Sequence, residues 1–465
     1  MNQSNESSPH KQARLLALAS LVTSFLIIPS AYAELKTGMA ADVVVGQRNF
    51  VSGSDDQGGS AGANTLDDSY GIFSDGTRLF IGDTDNHRVL IYNRIPTGNN
   101  APADVVVGQP DFATTSAGAS ATKMNQPHQV WFDGTRLFVA EWGNDRVLIF
   151  NRIPTTNGAA ADVVVGQANF AGGACNQGGS AGPNTLCNAV GVWSDGTKLI
   201  IADNENNRIL VYNTIPTRNN ASADIVIGQP DFTTTSSGCA ANKFTQVQGL
   251  FSDGKRLVVA EWGNARILIW NSIPTANNVS ADVVVGQKDF TSCTANQGGS
   301  AAANTLGINN FGPTIYAGRL FVPDSNNRRV LIWNRIPTEN NAPADIVIGQ
   351  TNLLTGTSGT TASKLAAPGS VFSDGKRLYI VDQGNSRVLI YNLGTPAINL
   401  SPQFKQGKAV LGKVFWDLNG NGRQDRVLPS LRGRHCLERF LAMTAHLRNK
   451  ASQEYESSQT PVSMP

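Results

Sequence analysis

A sixfold recurrence constrains this chain more than any other feature. The stretch SDGTRLFIGDTDNHRVLIYNRIPT at residues 74–97 returns five more times. The Arg that ends its central polar loop is Arg88, then Arg146, Arg208, Arg266, Arg329 and Arg387, at separations of 58, 62, 58, 63 and 58 residues. Each unit carries four apolar runs, in the first copy at 70–73, 78–82, 88–92 and 104–107. The second and third, RLFIG and RVLIY, are rich in β-branched and aromatic residues and read as strands. Asp75-Gly76 supplies the positive-φ positions of a tight hairpin. The loop NRIPTGNNAP cannot continue a central strand, and ADVVVGQ follows as the fourth.

Four short antiparallel strands at a period of 58–63 residues describe propeller blades. Parallel β-helices use shorter coils, and helical solenoids need a 3.6-residue apolar period that is absent here. The fold class is therefore all-β, a six-bladed β-propeller of four-stranded blades spanning 34–396. Motif order predicts how the ring closes. The three-strand unit occurs six times, ending at 370–392. The fourth-strand motif also occurs six times but begins at 42–47, ahead of any unit. The N-terminal copy is thus expected to complete blade six and remove two exposed edges. A seventh blade using 409–412 is the alternative, and too little sequence is left to build it.

The copies also alternate. Long Gly/Ser-rich excursions at 55–66, 175–186 and 294–306 precede blades one, three and five, and shorter ones precede two, four and six. Blades two and four carry Glu-Trp-Gly-Asn at 141–144 and 261–264. Strand direction puts the excursions and these second-to-third loops on one face, with the Asp-Gly turns and IPT loops on the other. Glu141, Trp142, Glu261 and Trp262 are the candidate ligand-binding rim. Each Trp either stacks on a sugar or peptide or packs locally on the neighbouring excursion.

An acid, an Asn three residues on and an Arg five residues on recur in every blade: Asp83 with Arg88, Glu141 with Arg146, Asp203 with Arg208, Glu261 with Arg266, Asp324 with Arg329 and Asp382 with Arg387. A bidentate ion pair across the hairpin, with the Asn bonding the turn backbone, makes these structural. The functional alternative is a ring of acids around the mouth holding a cation or sugar. The acid, then GN or NN, then RVLIYN, RILVYN or RILIWN, preceded by SDGTRLF, resembles the NHL-repeat family of β-propellers over about 40–396. Blade five departs from it with Ala317-Gly318 in place of Asp-Gly and Pro323 before Asp324, so its hairpin is expected to be the least regular.

That resemblance implies several functions. NHL-like propellers include protein- or RNA-binding modules and secreted peptide-amidating lyases, which hold zinc on channel histidines. Past residue 33 this chain has only His87, His128, His435 and His446, and the first two, scattered along the chain, are weak support for a three-ligand zinc site. Calcium on channel carbonyls and carboxylates, as in lactonase-like propellers, stays open. No G-x-S-x-G, H-E-x-x-H, Walker or dinucleotide motif occurs.

Residues 1–33 read as a secretory signal peptide: Lys11 and Arg14, an apolar run at 15–28, and Ala31-Tyr32-Ala33 as the cleavage site. That run is too short to span a bilayer, and no later stretch qualifies. A periplasmic, extracellular or cell-surface address is expected, where disulfides persist. Cys175 with Cys187, inside one loop, and Cys239 with Cys293, in loops entering consecutive repeats, are the expected pairs, with free thiols, or Cys187 turned into the core, as the alternative and Cys436 left over. Between the signal and Ala397 the body has 25 basic and 29 acidic residues, which argues against nucleic acid as a partner.

The tail, 397–465, changes character. Asp417, Asn419, Asn421 and Asp425 put oxygen side chains at positions 1, 3, 5 and 9 of a Gly-containing loop suited to calcium, the candidate cofactor. About 15 residues are similar to the opening of calcium-associated β-sandwich modules of bacterial surface proteins. Leu428 occupies position 12, where an EF-hand has Glu, and a basic amphipathic helix at about 438–450 follows, so the tail is expected to pack poorly. The leading functional reading is an exported scaffold that binds a protein, peptide or glycan through its loop-rich face without catalysis. The competing one is a metal-dependent hydrolase or lyase in the channel. Converging carboxylates or histidines inside the ring would favour the enzyme, and an apolar lining the scaffold.

Overall fold

The computed structural model describes residues 34–308, 311–393 and two short strands, Phe415–Trp416 and Arg426–Val427. The signal segment, Asp417, Asn419, Asn421, Asp425, Cys436 and the helix expected at 438–450 lie outside the described residues. Contacts divide the chain into one unit, Met1–Thr395, and a second, Pro396–Pro465, in which the two short strands pair antiparallel with Phe415 opposite Val427.

The first unit holds six four-stranded antiparallel sheets. Blade one consists of Gly71–Ser74, Leu79–Asp83, Arg88–Tyr92 and Val105–Val107, each within about a residue of the sequence expectation. The first strands of blades two to six are Pro127–Phe132, Ala189–Ser194, Val247–Ser252, Thr314–Tyr316 and Pro368–Ser373. Each contacts the next, and the sixth contacts the first, so they encircle an axis. The ring closes as expected: Val43–Val45 pairs with Arg387–Asn392, Val43 opposite Ile390 and Val45 opposite Val388. The Asp that opens each outer-strand motif accepts the backbone N–H just past the third strand. Asp104 does so from Asn93 and Asp42 from Asn392, both at 2.7 Å.

Six cores lie between facing sheets. One of them joins Val45, Tyr379, Val388 and Ile390 of blade six to Ile81, Leu90 and Tyr92 of blade one. Each such Val or Ile is fully buried, and burying one stabilises the fold by roughly 1.5–3 kcal/mol before chain entropy is counted.

The outer strands would leave six exposed edges, and the Asn-rich half of each IPT loop covers one. Val44 N–H donates to Asn99 Oδ1 at 3.0 Å, while Asn100 N–H donates to the Val44 carbonyl at 3.0 Å. Asn157 and Gly158 treat Val106 alike. Blade five's outer strand takes its cover from the N-terminal segment, with Thr37 Oγ1 accepting from Val347 N–H and Gly38 N–H donating to its carbonyl. The N-terminus therefore supplies an edge cap as well as a strand, which blunts edge-to-edge association.

Two turn expectations need correction. In the Asp75-Gly76 turn only Gly76 has positive φ, +86°. Asp75 instead accepts the N–H groups of Thr77 and Arg78 at 2.8 and 2.6 Å, an Asx turn in a four-residue loop. Blade five, expected to be irregular, has the tight two-residue turn: Ala317 and Gly318 sit at φ +51° and +75°, with Tyr316 opposite Arg319. Pro323 lies opposite Val330 without breaking its strand.

Candidate functional site

Six buried arginines stitch the loop face together. Arg88 Nε donates to Asp83 Oδ2 at 2.7 Å, and both side chains are fully buried. The pair is not bidentate, because the other two nitrogens go elsewhere. Nη2 donates to the carbonyls of Gly62 and Thr65 in the preceding excursion, and Nη1 to that of Phe112 in the following one. Arg146, Arg208, Arg266, Arg329 and Arg387 repeat the pattern with Glu141, Asp203, Glu261, Asp324 and Asp382. Asn86 bonds the Asp83 carboxylate and Asp56 at 3.0 Å each, where the sequence had suggested the turn backbone. Burial pushes the carboxyls of Asp83, Glu141, Asp203 and Glu261 up, and the adjoining guanidinium opposes this. Glu141 and Glu261 are thus enclosed with their arginines and present no carboxylate to a ligand at the rim.

Side chains from the first strands occupy the axis in layers. At one level stand Phe73, Trp131, Trp193, Phe251 and Phe372, with Thr314 at the blade-five position. The Trp131 ring lies 4.8 Å from Phe73, 5.6 Å from Phe251, 6.2 Å from Trp193 and 6.5 Å from Phe372, so it reaches across the axis. Its indole N–H donates to the Ser194 carbonyl at 2.8 Å.

Two residues earlier in each strand come Gly71, Gln129, Gly191, Gly249, Gly312 and Ser370. Gln129 extends over this level, its Oε1 accepting Val192 N–H at 3.0 Å. The glycines permit close strand approach, since a Cβ on Gly71 would lie 2.7 Å from the His128 carbonyl oxygen.

At the mouth, Tyr70 stacks on His128 at 4.4 Å and meets Phe311 edge-on at 5.0 Å. His128 Nδ1 donates to the Val190 carbonyl at 3.1 Å, and burial pushes its pKa down to about 4. Gln383 Nε2 reaches the Tyr70 hydroxyl at 2.8 Å and Asp68 Oδ1 at 2.6 Å. Among the described residues no group of three His, Cys, Asp or Glu side chains is placed to hold a metal ion, and no helix is long and apolar enough to cross a membrane.

The rim is built on ordered loops. In the first excursion Asp56 and Gln57 adopt positive φ, +45° and +57°, and Gln57 Nε2 donates to the Asn64 carbonyl and to Asn100 Oδ1. The repeated Gln of the outer-strand motif anchors the same loops, as Gln47 Nε2 does with the carbonyls of Ser54 and Ser386. Both disulfides form: Cys175 with Cys187, and Cys239 with Cys293.

Trp142 is 40 % exposed, whereas Trp262 is half-buried. The Trp142 indole N–H donates to Asn188 Oδ1 at 2.8 Å once that amide is turned to accept it. Asp145 lies on the same loop and accepts Asn188 N–H at 2.6 Å. Burial first, then Asp203 and Glu205, push its carboxyl up to about 6.

Sequence reasoning missed Tyr70, Gln129, Phe311 and Gln383. Aligning the six first strands would have exposed Tyr70 and Phe311, because Tyr70, His128, Val190, Gln248, Phe311 and Gly369 occupy one position and differ in every copy, and Gln129, because the next position is otherwise Gly or Ser. Gln383 lies on the second-to-third loop of blade six, outside that alignment.

No family model matches the chain, and no curated protein matches it. Among solved structures it is similar to the WD40 β-propeller domain of Doa1, at 10% identity over 77% of this chain and 95% of that one, with TM-score 0.39. It is also similar to the computationally designed Ika8 protein, at 8% identity over 76% of this chain and 100% of that one, with TM-score 0.36.

Proposed function

We propose that the protein is an exported propeller of NHL type that holds a protein, peptide or glycan on its loop-rich face, without catalysis in the channel. The observation that carries this reading is the filling of the axis. Trp131 with its aromatic neighbours, Gln129, and the Tyr70–His128–Phe311 cluster take up the space a channel substrate would need. The six copies keep their Asp or Glu, Asn and Arg and diverge on the rim, where the Trp142 indole is exposed. Such a ring stacks on a sugar or caps an apolar or cationic side chain. The spacing of acid, Asn and Arg supports the NHL assignment, and residues 1–33 together with two disulfides support export.

Glycan and peptide arrays probed with residues 34–465 would test this. Binding should weaken by about tenfold or more on Trp142→Ala, a typical aromatic hot-spot loss, and be unchanged on Arg78→Ala at the opposite face. A hit insensitive to Trp142→Ala and Trp262→Ala would overturn the rim assignment. Conversion of an array compound to product, abolished by His128→Ala, would favour the hydrolase or lyase reading instead.

A further inference from the structure

The first and second long excursions share one fold. Asp56 N–H donates to the Leu66 carbonyl at 2.9 Å, and Asn176 N–H to that of Leu186 at 2.8 Å. The Thr65 hydroxyl bonds Asp56 Oδ1 at 2.6 Å, and the Thr185 hydroxyl bonds Asn176 Oδ1 at 3.0 Å. Gln57 and Gln177 make matching amide contacts. In the second excursion Cys175 and Cys187 close the loop, their Cα atoms 4.4 Å apart. The residues at those two positions in the first are Asp55 and Asp67. Two carboxyl groups therefore stand where the sister loop has a covalent bond.

We propose that Asp67 carries a proton and donates it to the Asp55 carboxylate, an O–H···O bond that closes the first excursion as the disulfide closes the second, and that its loss to solvent loosens this loop. The location gives the device a consequence. Ser386 Oγ donates to Asp55 Oδ1 at 2.5 Å and accepts Asp68 N–H at 3.5 Å, and the Ser386 carbonyl accepts Gln47 Nε2 at 3.0 Å. The pair thus sits on the seam where blade six meets blade one.

The charges facing Asp67 are nearly all acidic. They are Asp55 and Asp56 on its own excursion, Asp68 beside it, and Asp83 and Asp85 on the blade-one loop. Arg88 is held by Asp83 and three carbonyls, Arg48 by the Gln57 amide oxygen, and on blade six Arg387 by Asp382. Burial first, and then Asp55, Asp56, Asp85 and Asp83, push Asp67 up to about 7. A carboxyl raised in the folded state makes that state the stronger proton binder, so the latch weakens as pH climbs from about 4 to about 7.

The test compares residues 34–465 with Asp67→Asn, Asp55→Asn and the double variant Asp55→Cys/Asp67→Cys. In the unaltered chain, hydrogen exchange at 53–68, corrected for intrinsic rate, should rise roughly tenfold between pH 5 and pH 8. Asp67→Asn and the oxidised double variant should flatten that rise, and the double variant should cross-link without added catalyst. An unaltered chain with pH-independent exchange at 53–68 would overturn the proposal, as would failure of the double variant to cross-link. Calcium at millimolar concentration that suppresses exchange at pH 8 in the unaltered chain but not in Asp67→Asn would also overturn it, placing a cation in the gap instead of a proton.

Discussion

Arg387 Nη1 donates to the carbonyl oxygen of Phe50 at 2.6 Å across 337 residues of sequence. Arg146 makes the same bond to Phe170 at 2.6 Å across only 24. Ring closure therefore reuses the contact that joins interior blades, with the N-terminal segment standing in for the missing end of the last repeat.

Arg387→Met should destabilise the ring by about 3–5 kcal/mol, because Asp382 would be left buried without its cation. Arg387→Lys should recover little, since one ammonium cannot match a guanidinium divided among a carboxylate and three carbonyls. Arg78→Met, at an exposed pair with Asp75, should cost under about 1 kcal/mol. Urea unfolding of the three variants measures the contrast, and equal losses would contradict it.

Gly71→Ala should be among the most damaging small substitutions, because its Cβ would lie 2.7 Å from the backbone oxygen of His128. Gly249→Ala meets the Gly312 Cα at 3.0 Å and should follow closely. Gly98→Ala, with nothing within 4 Å, should stay within about 0.5 kcal/mol of the parent. Thermal melts rank the three.

His128 ties stability to pH. Its pKa is about 4 in the fold against an ordinary 6.5, so between those values the unfolded chain binds the additional proton. Stability should fall as pH drops from 6.5 to 4, by about 1.4 kcal/mol per unit and roughly 3 kcal/mol in all. The contribution is fully present above 6.5. An NMR titration of His128 checks the midpoint, and His128→Phe should flatten the acid limb of a urea-midpoint profile.

The two disulfides should differ in worth. Chain entropy gives about 3 kcal/mol for the Cys175–Cys187 loop, with a sequence separation of 12, and about 4 kcal/mol for Cys239–Cys293, with 54. Paired Cys→Ala variants compared by denaturant midpoint should show the longer bridge to be the costlier loss.

Much of the architecture was legible because blade strands announce themselves locally. Arg88–Tyr92 reads as a strand from five consecutive residues, and counting motifs was enough to send residues 42–47 to the far end of the chain. The acid–Arg pairing was legible for the same reason, since partners five residues apart across a hairpin must meet. Its geometry was not. The bidentate expectation failed because Nη1 and Nη2 are claimed by carbonyls 23–26 residues away, on loops that only blade packing brings alongside.

The sequence by itself determined the period, the number of blades and the offset that ties Asp42 to Asn392, because each follows from short-range pattern or from order along the chain. It suggested the two cysteine pairs, and the structure decided them against free thiols. Tertiary structure alone decided what fills the axis and how open Trp142 is compared with Trp262. A side chain at the axis touches blades that sequence separates by hundreds of residues, as Trp131 touches Phe73, Phe251 and Phe372. Its role is set by the closed ring, which no window of sequence contains.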